Sequence, residues 1–267
     1  MSKLPIISVI IPCFNDGMYI SETIEKIKAQ TFKEFEIIVV NDGSTDDNTL
    51  EILNKLSRED IIVLHKENGK MSSARNFGAN HSKGSLLVTV DADDYFDTTF
   101  FEKAFSILNN HSNIAVVSSY VKMFGEFNSK SRPRGGGEFN FLFSNECSAA
   151  AMIRKSCWEE IGGYDEEMKL GYEDWEFYIR IVQKGWQIYI MPEYLAYYRQ
   201  TKKSTRINIT EPNRKSIINY IITKHNNWYL KSLLELIDKK EIIYTERRTA
   251  YATILKLLGD RMTGKYK

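Results

Sequence analysis

Short apolar runs alternate with amphipathic helical segments along the first 120 residues, and this alternation constrains the fold more than any other feature. The apolar runs predict five strands, at residues 6–11, 35–40, 61–64, 86–90 and 114–119. Helices are predicted between them, with apolar faces formed by Ile20, Ile24 and Ile27, then by Leu50, Leu53 and Leu56, and then at residues 72–80 and 99–109. Strands joined by single helices cross over in the right-handed sense. We therefore expect an α/β fold with a doubly wound, mostly parallel sheet.

The pattern loosens after residue 120. Residues 129–137 have the composition of a loop, with three consecutive glycines and two arginines. They fit either a mobile lid over an anionic ligand or a solvent-exposed loop without a ligand, and composition alone favours the solvent-exposed loop. Further helices are predicted at residues 155–161 and 173–184. The second has an apolar face formed by Trp175, Tyr178, Ile179 and Val182. We expect this face in the core, with Trp175 as the one member that has an alternative role.

Two predicted helices begin with the spacing of a capping box, in which a Ser or Thr hydroxyl and an acid three residues later bond each other's backbone. Ser44 and Asp47 have this spacing before the second helix, and Thr99 and Glu102 before the fourth. We therefore expect hydroxyl caps at both helix starts.

Composition narrows the class of protein. A chain of 267 residues with 43% hydrophobic content is typical of a soluble globular protein of one or two domains. No apolar stretch approaches the roughly 18–20 residues that span a bilayer, and the first residues lack the apolar stretch of a signal peptide. Three widely spaced cysteines without a Cys-x-x-Cys pair argue against a zinc site or a disulfide framework. We expect a cytoplasmic location.

The net charge of +1 hides an asymmetry along the chain. Residues 199–267 carry a net charge of +10, whereas residues 1–198 carry −9. The chain therefore has an acidic body and a basic tail.

Three carboxylates, those of Asp91, Asp93 and Asp94, lie within four residues and directly follow the fourth predicted strand. Open α/β sheets bind ligands at the carboxyl ends of their strands. Packing like charges there is unfavourable unless a cation or solvent compensates them. The cluster is therefore either an acidic turn before a helix or a metal site, and its position at a strand end favours the metal site.

Glu173 and Asp174 open the predicted helix at residues 173–184. Acidic side chains there pair favourably with the helix macrodipole, by roughly 0.3–1 kcal/mol. The alternative is a carboxylate, held at a rigid helix start, that deprotonates a hydroxyl. The two residues alone favour the macrodipole interpretation.

Six segments occur in the order expected of one enzyme family. The chain resembles the inverting glycosyltransferases of family 2 between about residues 8 and 206. The segments are Val9-Ile10-Ile11-Pro12-Cys13-Phe14-Asn15, Val39-Val40-Asn41-Asp42-Gly43-Ser44-Thr45-Asp46, Asn68-Gly69-Lys70 with Ala74-Arg75-Asn76-Phe77-Gly78, Asp91-Ala92-Asp93-Asp94, Gly162-Gly163-Tyr164-Asp165 and Gly171-Tyr172-Glu173-Asp174-Trp175. Each segment alone is a weak signal, but their ordered combination is specific. The resemblance implies the GT-A fold.

The resemblance also implies a nucleotide-diphosphate-sugar donor at the carboxyl ends of the first strands. It places the base and ribose against Pro12, Phe14 and Asn15. It further implies that Asp42 accepts a hydrogen bond from a uracil imide N–H, which favours a UDP-sugar.

Two residues of the donor side keep alternative roles. A planar guanidinium suits either a phosphate or a carboxylate, so Arg75 either contacts the diphosphate or forms a structural ion pair with Asp91 or Asp94. Asp94 either contacts the sugar or is structural.

The resemblance makes Asp93 the ligand of a divalent cation, Mn²⁺ or Mg²⁺, with Asp91 nearer the ribose. Such a cation accepts carboxylate and phosphate oxygens together and neutralises charge on the departing UDP. Ala92 and Arg199 complete the substrate-binding residues expected on this side.

Asp174 resembles the family's catalytic base, which deprotonates the acceptor hydroxyl for in-line attack at the anomeric carbon. One displacement inverts that carbon and turns an α-linked donor into a β-linked product. Glu173 is expected to orient the donor sugar or the base, and Trp175 to stack on a sugar face. The expected activity is transfer to a glycan or lipid-linked glycan acceptor in cell-surface polysaccharide synthesis.

One position departs from the family pattern. Many relatives have a histidine two residues after the arginine of Tyr197-Tyr198-Arg199, where this chain has Thr201. We expect the cation to be held by Asp93, the nucleotide and water, and residues 202–206 to supply charge to the diphosphate instead. The chain also lacks the Gln-x-x-Arg-Trp segment and membrane helices of processive synthases, which favours single additions.

These expectations divide the chain into a GT-A domain at residues 1–206 and a basic helical extension at residues 207–267. Within the domain, residues 1–120 would bind the nucleotide-sugar and residues 121–206 would face the acceptor. The extension carries an apolar stripe formed by Tyr251, Ile254, Leu255 and Leu258. It would pack on the body, form a homodimer contact, or dock peripherally on anionic lipid at the inner face of the membrane. Nucleic acid is not an expected partner, because no nucleic-acid module is recognisable.

Two other function classes stay open at this point. A sugar-nucleotide pyrophosphorylase has a related sheet but needs a Gly-rich, Arg-containing loop after its first strand, which residues 12–17 do not provide. A catalytically silent nucleotide-sugar-binding protein is the other class, and the intact Asp91, Asp93 and Asp174 argue against it. The donor sugar, the acceptor and the linkage position do not follow from the sequence.

Overall fold

A computed structural model of the chain describes residues 4–201, 204 and 206–238. The described strands are β1 Ile7–Cys13, β2 Phe35–Asp42, β3 Ile62–Lys66, β4 Leu86–Thr89, β5 Tyr95–Phe96, β6 Ile114–Gly125, β7 Ser129–Ser131, β8 Ala151–Arg154 and β9 Gln187–Gln200. The described α-helices are α1 Gly17–Lys28, α2 Asp47–Leu56, α3 Lys70–Asn80, α4 Phe100–Asn110, α5 Lys155–Glu160, α6 Glu173–Gln183, α7 Glu211–Lys224 and α8 Asn226–Asp238. The chain divides into two compact units, Met1–Tyr220 and Ile221–Lys267.

The first four strands form the predicted parallel half of the sheet, in the order β3-β2-β1-β4. Ile10 pairs with Ile38 of β2 on one side and with Thr89 of β4 on the other. Helices cover the apolar strands, whose side chains from β1, β2 and β4 are buried in one core. The prediction of a mostly parallel α/β sheet is therefore confirmed.

The second half of the sheet differs from the sequence expectation. The predicted fifth strand belongs to the longer β6, which is separated from β4 by the antiparallel β8. β9 then pairs parallel with β6 through a bulged register and carries β5 at its other edge. Strands β5, β8 and β9 were not predicted from the sequence. Their apolar and polar residues neither alternate strictly nor form a long apolar run.

Residues 129–137 pair with the sheet at two points, although Ser129, Lys130, Arg132 and Arg134 in this segment are exposed. Ser129–Ser131 form β7, which pairs antiparallel with the end of β6. Beyond β7, Gly135 and Gly136 have φ angles of 61° and 94°, and the Gly136 N–H donates to the Ile188 carbonyl. Glycine composition suggested a loop here, but these glycines allow the close approach to β9.

Both predicted hydroxyl caps are wrong. The N-cap residue of α2 is Asp46, whose carboxylate accepts the Thr49 N–H, while Ser44 Oγ accepts the Asn15 N–H. Thr99 is the N-cap residue of α4 but makes no side-chain cap bond. In each case the hydroxyl that was predicted to cap the helix bonds a different group. Ser44 bonds the Asn15 N–H, and Thr99 donates to Asp97 Oδ1.

The C-terminal part is helical as predicted, with α7 and α8 following a π-helical turn at Arg206–Thr210. The stripe of Tyr251, Ile254, Leu255 and Leu258 lies outside the described residues, as do Lys202, Lys203 and Thr205 of the expected basic loop. In the described part of the chain, no helix is long and apolar enough to cross a bilayer.

Candidate functional site

The carboxyl ends of β1 and β2 bring together the residues predicted to hold the base and ribose. Pro12 is buried within β1, whereas the Phe14 side chain is 42% exposed and lies 5.8 Å from Lys70 Nζ. Asn15 has a φ of 58° and accepts the Thr45 N–H at 2.8 Å through its side-chain oxygen. Asparagine tolerates this left-handed conformation better than most residues. The two loops are thus joined, and Phe14 stays accessible at their edge.

Asp42 organises the loop that follows β3. Its Oδ1 accepts hydrogen bonds from Lys66 Nζ and the Gly69 N–H, and its Oδ2 accepts the Lys70 N–H, each at 2.9 Å. The residue is 3% exposed. Asp42 therefore fixes the start of α3, and a contact with a nucleobase remains a prediction for its remaining lone pairs.

Arg75 joins two acidic segments that are far apart in the sequence. Its side chain is 2% exposed, and its terminal nitrogens donate to Asp91 Oδ1 at 2.9 Å and to Glu173 Oε1 at 2.7 Å. Burial alone lowers the pKa of Arg75, but the charges of Asp91 and Glu173 raise the pKa well above its ordinary value. The guanidinium is therefore a permanent cation, and the structure favours the ion-pair interpretation of Arg75, with Asp91 rather than Asp94 as its partner.

The Asp91–Asp94 segment is held in place by both neighbouring elements. On one side, Thr23 Oγ1 lies 2.8 Å from the Ala92 carbonyl and 2.9 Å from the Asp94 carbonyl. On the other, the Arg199 N–H donates to Asp94 Oδ1 at 2.8 Å, and Arg199 Nε donates to the Asp93 carbonyl at 3.1 Å. These contacts favour a structural role of Asp94 over a contact with the sugar, and the described bonds of Arg199 fix the acidic segment.

Burial and the crowding of carboxylates raise pKa values in and beside this segment. Burial and the charges of Asp91 and Asp16 raise the pKa of Asp93 to about 7. Burial and the charges of Asp91 and Asp46 raise the pKa of Asp16 to about 6. Asp16 was not among the predicted site residues, although its place at the end of β1 is the signal that could have found it. Full ionisation of these carboxyls is therefore unfavourable, and a bound cation would stabilise their charged form.

The donor set fits a hard divalent cation that is shared with a diphosphate. Carboxylate oxygens are the ligands that Mn²⁺ and Mg²⁺ prefer. No described side chain donates a hydrogen bond to the Asp93 carboxylate, which leaves it available as a ligand. Among the described residues, however, no group of three His, Cys, Asp or Glu side chains is arranged to hold a metal ion alone. Phosphate and water oxygens would have to complete the coordination.

Asp174 lies at the first turn of α6, where it is half-buried among polar groups. Its Oδ2 accepts a hydrogen bond from Asn145 Nδ2, and its Oδ1 accepts the Trp175 N–H, both at 2.8 Å. Burial and the neighbouring Glu173 raise the pKa of Asp174 to about 7, against the opposing effects of Arg75 and Asn145. Such a carboxyl can accept and release a proton near neutral pH.

The loop before α6 is tightly fitted. Gly171 has a φ of 107°, and a Cβ at this position would lie 2.2 Å from Thr210 Oγ1. The following Tyr172 has a left-handed φ of 58° and directly precedes the helix. The carboxylates of Glu173 and Asp174 are therefore presented by a constrained turn rather than by a free helix end.

Trp175 is 4% exposed, and its indole N–H donates to the Phe141 carbonyl at 2.8 Å. This burial favours a packing role over the predicted stacking on a sugar face. Asn145, by contrast, was not among the predicted site residues, yet its side chain contacts the candidate base directly. No local pattern could have found this bond, because the two residues belong to separate segments.

Comparisons with known proteins agree with this arrangement. The family model described as Glycosyl transferase family 2 matches residues 8–181. A Rickettsia bellii protein named as an uncharacterized glycosyltransferase is 37% identical over 133 residues, which cover 48% of this chain and 19% of that protein. The chain likewise spans less than two thirds of the length of other curated bacterial relatives.

Two solved structures show the same fold. The S. aureus TarS fragment 1–349 in complex with UDP-GlcNAc has a TM-score of 0.65 and 22% identity, covering 76% of this chain and 60% of that chain. The mannosyltransferase PcManGT from Pyrobaculum calidifontis, in complex with GDP-Man and Mn²⁺, has a TM-score of 0.59 and 21% identity, covering 77% and 60%. These likenesses establish the GT-A fold.

Proposed function

The chain belongs to glycosyltransferase family 2, and from this membership we propose that it is a metal-dependent inverting enzyme of the hexosyltransferase type. It transfers a sugar from a nucleotide-diphosphate donor to a hydroxyl of a glycan or lipid-linked glycan and makes a β-linkage. A UDP-sugar is the favoured donor, because the resemblance assigns Asp42 to a uracil imide. The UDP-GlcNAc of TarS and the GDP-Man and Mn²⁺ of PcManGT support a nucleotide-sugar and a divalent cation in general terms.

One observation carries the proposal: Arg75 contacts both Asp91 and Glu173. Asp91 belongs to the acidic segment proposed to hold the donor diphosphate, and Glu173 is adjacent to the proposed base. A single buried side chain therefore holds the two halves of a transferase site in contact. A nucleotide-binding protein without transfer activity would not need the second half.

On the donor side, Phe14 offers an exposed ring to the nucleobase, and Pro12 and Asn15 shape the pocket beside it. Asp93 would hold a Mn²⁺ or Mg²⁺ ion together with the diphosphate, and when bound this ion would stabilise negative charge on the departing nucleotide. Asp91 lies toward the ribose, with its orientation fixed by Arg75.

On the acceptor side, Asp174 Oδ2 accepts the hydroxyl proton as the oxygen attacks the anomeric carbon. A base with a pKa of about 7 suits this step, since efficient general bases have pKa values near the working pH. Asn145 orients the carboxylate, and Glu173 fixes the base through the backbone of the same helix turn. Attack from the side opposite the nucleotide inverts the anomeric carbon.

The wider setting is also proposed. The GT-A domain would span residues 1–206, with residues 1–120 on the donor side and residues 121–206 on the acceptor side, followed by the extension at 207–267. The enzyme would act in the cytoplasm on cell-surface polysaccharide precursors, with its basic extension as a peripheral membrane or homodimer contact. The bacterial relatives named as glycosyltransferases support glycosyl transfer as the activity.

The test is a screen of UDP- and GDP-sugars with Mn²⁺, Mg²⁺ or EDTA on a panel of glycan acceptors. The expected result is metal-dependent nucleoside diphosphate release together with a product whose anomeric proton coupling identifies a β-linkage. An α-linked product from an α-linked donor would contradict inversion. UTP release that requires pyrophosphate would instead identify a pyrophosphorylase, and donor binding without any product would identify a silent binding protein.

A further inference from the structure

One face of the β7-β6-β9 ribbon carries alternating cations and aromatic rings. Side chains of a strand alternate between its two faces, so Tyr120 and Lys122 share one face of β6 while Val121 and Met123 pack toward the core. The register places Tyr194 opposite Tyr120, and both Tyr197 and Lys130 opposite Lys122. We call Tyr120, Lys122, Lys130, Arg132, Tyr194 and Tyr197 the cation–aromatic face.

Direct contacts order these side chains. Arg132 lies 5.7 Å from the ring centroids of both Tyr120 and Tyr194 and donates from Nε to Tyr194 Oη at 2.7 Å. Lys130 Nζ lies 5.0 Å from the Tyr194 ring, and Lys122 Nζ lies 5.6 Å from the Tyr197 ring. Cation–π contacts of this kind hold flexible basic side chains over rigid rings. The face therefore presents a preorganised row of positive charges.

The positive charge of the row is not neutralised by the described part of the chain. Lys122, Lys130 and Arg132 are exposed, and none of them forms an ion pair with a described carboxylate. The acidic residues nearby are Glu193, which pairs with Lys103, and the exposed Glu126 in the turn between β6 and β7. A row of exposed cations over aromatic rings is complementary to a ligand that has both negative charge and apolar faces.

The row leads to the proposed catalytic centre. Tyr197 stacks on Tyr95 with centroids 4.8 Å apart, and Tyr95 directly follows Asp94. At the same end, Arg199 packs 4.5 Å from the Phe124 ring and donates to the Asp93 carbonyl. An elongated ligand lying along β6 would thus have one end beside the acidic segment.

We propose that the cation–aromatic face binds an anionic glycan, a sugar chain with carboxylate or phosphate groups, as the acceptor. This inference rests on the proposed transferase function and specifies its acceptor class. The lysine and arginine side chains pair with the acidic groups of the glycan, and the tyrosine rings beneath them keep these cations in position. A membrane surface fits less well, because Phe127, the exposed apolar residue of the β6–β7 turn, is adjacent to the charged Glu126.

The test measures binding of polygalacturonate, with uncharged dextran and phosphatidylglycerol vesicles as comparison ligands. The test variant carries Lys122→Gln, Lys130→Gln and Arg132→Gln. A matched control carries Lys33→Gln, Arg58→Gln and Lys83→Gln, which remove the same number of charges from the loops that precede β2, β3 and β4 in the other half of the sheet. Thermal unfolding of all proteins verifies that each variant is folded.

The expected result is that wild type and control bind polygalacturonate with equal affinity, that the test variant binds about tenfold more weakly, ~1.4 kcal/mol, and that dextran does not bind. The inference is overturned if polygalacturonate does not bind the wild type or binds the test variant as tightly as the wild type. It is also overturned if the test and control variants lose affinity equally, or if the test variant loses only its binding to vesicles. Mn²⁺-dependent binding of UDP is measured in the same samples. Its absence from every protein indicates failure of the transferase proposal, whereas equal glycan binding by the test variant and the wild type, with normal UDP binding, indicates failure of this inference alone.

Discussion

Asp91 and Glu173 share one guanidinium, since Arg75 donates to the first at 2.9 Å and to the second at 2.7 Å. Asp91 follows the fourth strand of the sheet and Glu173 begins α6, so this contact joins segments that no local interaction connects. It places the acidic segment of the donor side next to the helix turn that carries the candidate base. The relative position of the two acidic segments depends on this contact, and the first prediction concerns its loss.

Arg75→Met should destabilise the fold by roughly 3–5 kcal/mol, because it leaves two partly buried carboxylates without their cation. Urea unfolding monitored by fluorescence measures the change. The control is Lys55→Met, which removes an exposed pair with Glu51 and should leave the free energy of unfolding nearly unchanged, because solvent screens such a pair. Equal small effects of the two substitutions would show that the Arg75 bridge is not structural.

Asn145→Ala should shift the pH dependence of transfer upward. Asp174 must be deprotonated to act, so wild-type activity should rise as the pH increases through about 7. The Asn145 hydrogen bond lowers the pKa of Asp174, and its loss should move the midpoint to higher pH. Ser144→Ala, which removes a bond to Glu146 instead, should leave the midpoint unchanged, and a shift of the same size in this control would refute the assignment.

Gly171→Ala should reduce both stability and activity, because the added Cβ would meet Thr210 Oγ1 at 2.2 Å in a backbone with positive φ. The expected loss is about 1–3 kcal/mol in the free energy of unfolding. Gly162→Ala is a matched control with a φ of 77° and open space around the new atom. The double substitution with Thr210→Ala should recover part of the loss, and no recovery would show that the contact is not the cause.

Asp93→Asn should weaken Mn²⁺-dependent donor binding on the order of tenfold, ~1.4 kcal/mol, because the amide removes the ligand charge. Titration calorimetry of UDP with and without Mn²⁺ measures this. Asp97→Asn is the control, since its carboxylate oxygen accepts bonds from Thr99 that an amide oxygen can also accept. If metal-dependent binding by the Asp93 variant equalled that of the control, Asp93 would not be the ligand.

The donor half could be predicted because its information is local. Each strand from β1 to β3 contains an apolar run and is followed by one helix, so the ends of the parallel strands β2 and β4, with Asp42 and Asp91, were expected at the same edge of the sheet. The acceptor half could not be predicted in the same way. Its long strand β9 has an irregular burial pattern and a bulged register with β6.

The hydrogen-bond and ion-pair partners within the site could not be predicted from local sequence patterns either. The packing of separate segments determines the bond between Asn145 and Asp174. It also determines that Arg75 pairs with Asp91 and not with Asp94. Ser44 shows the same limit, because a hydroxyl with capping-box spacing bonds the first loop instead of its own helix. Spacing thus identified the residue types of the site, while tertiary contacts determined their roles.

The most direct test of the account compares sugar transfer and donor binding in Asp174→Asn with those in the wild type. The amide preserves the size of the side chain but cannot accept the acceptor proton, so transfer should fall by about 10²–10⁴-fold while the donor dissociation constant stays unchanged. Glu167→Gln, an exposed substitution before the same helix, should behave like the wild type. Transfer by Asp174→Asn within about threefold of the wild-type rate would contradict the assignment of Asp174 as the base.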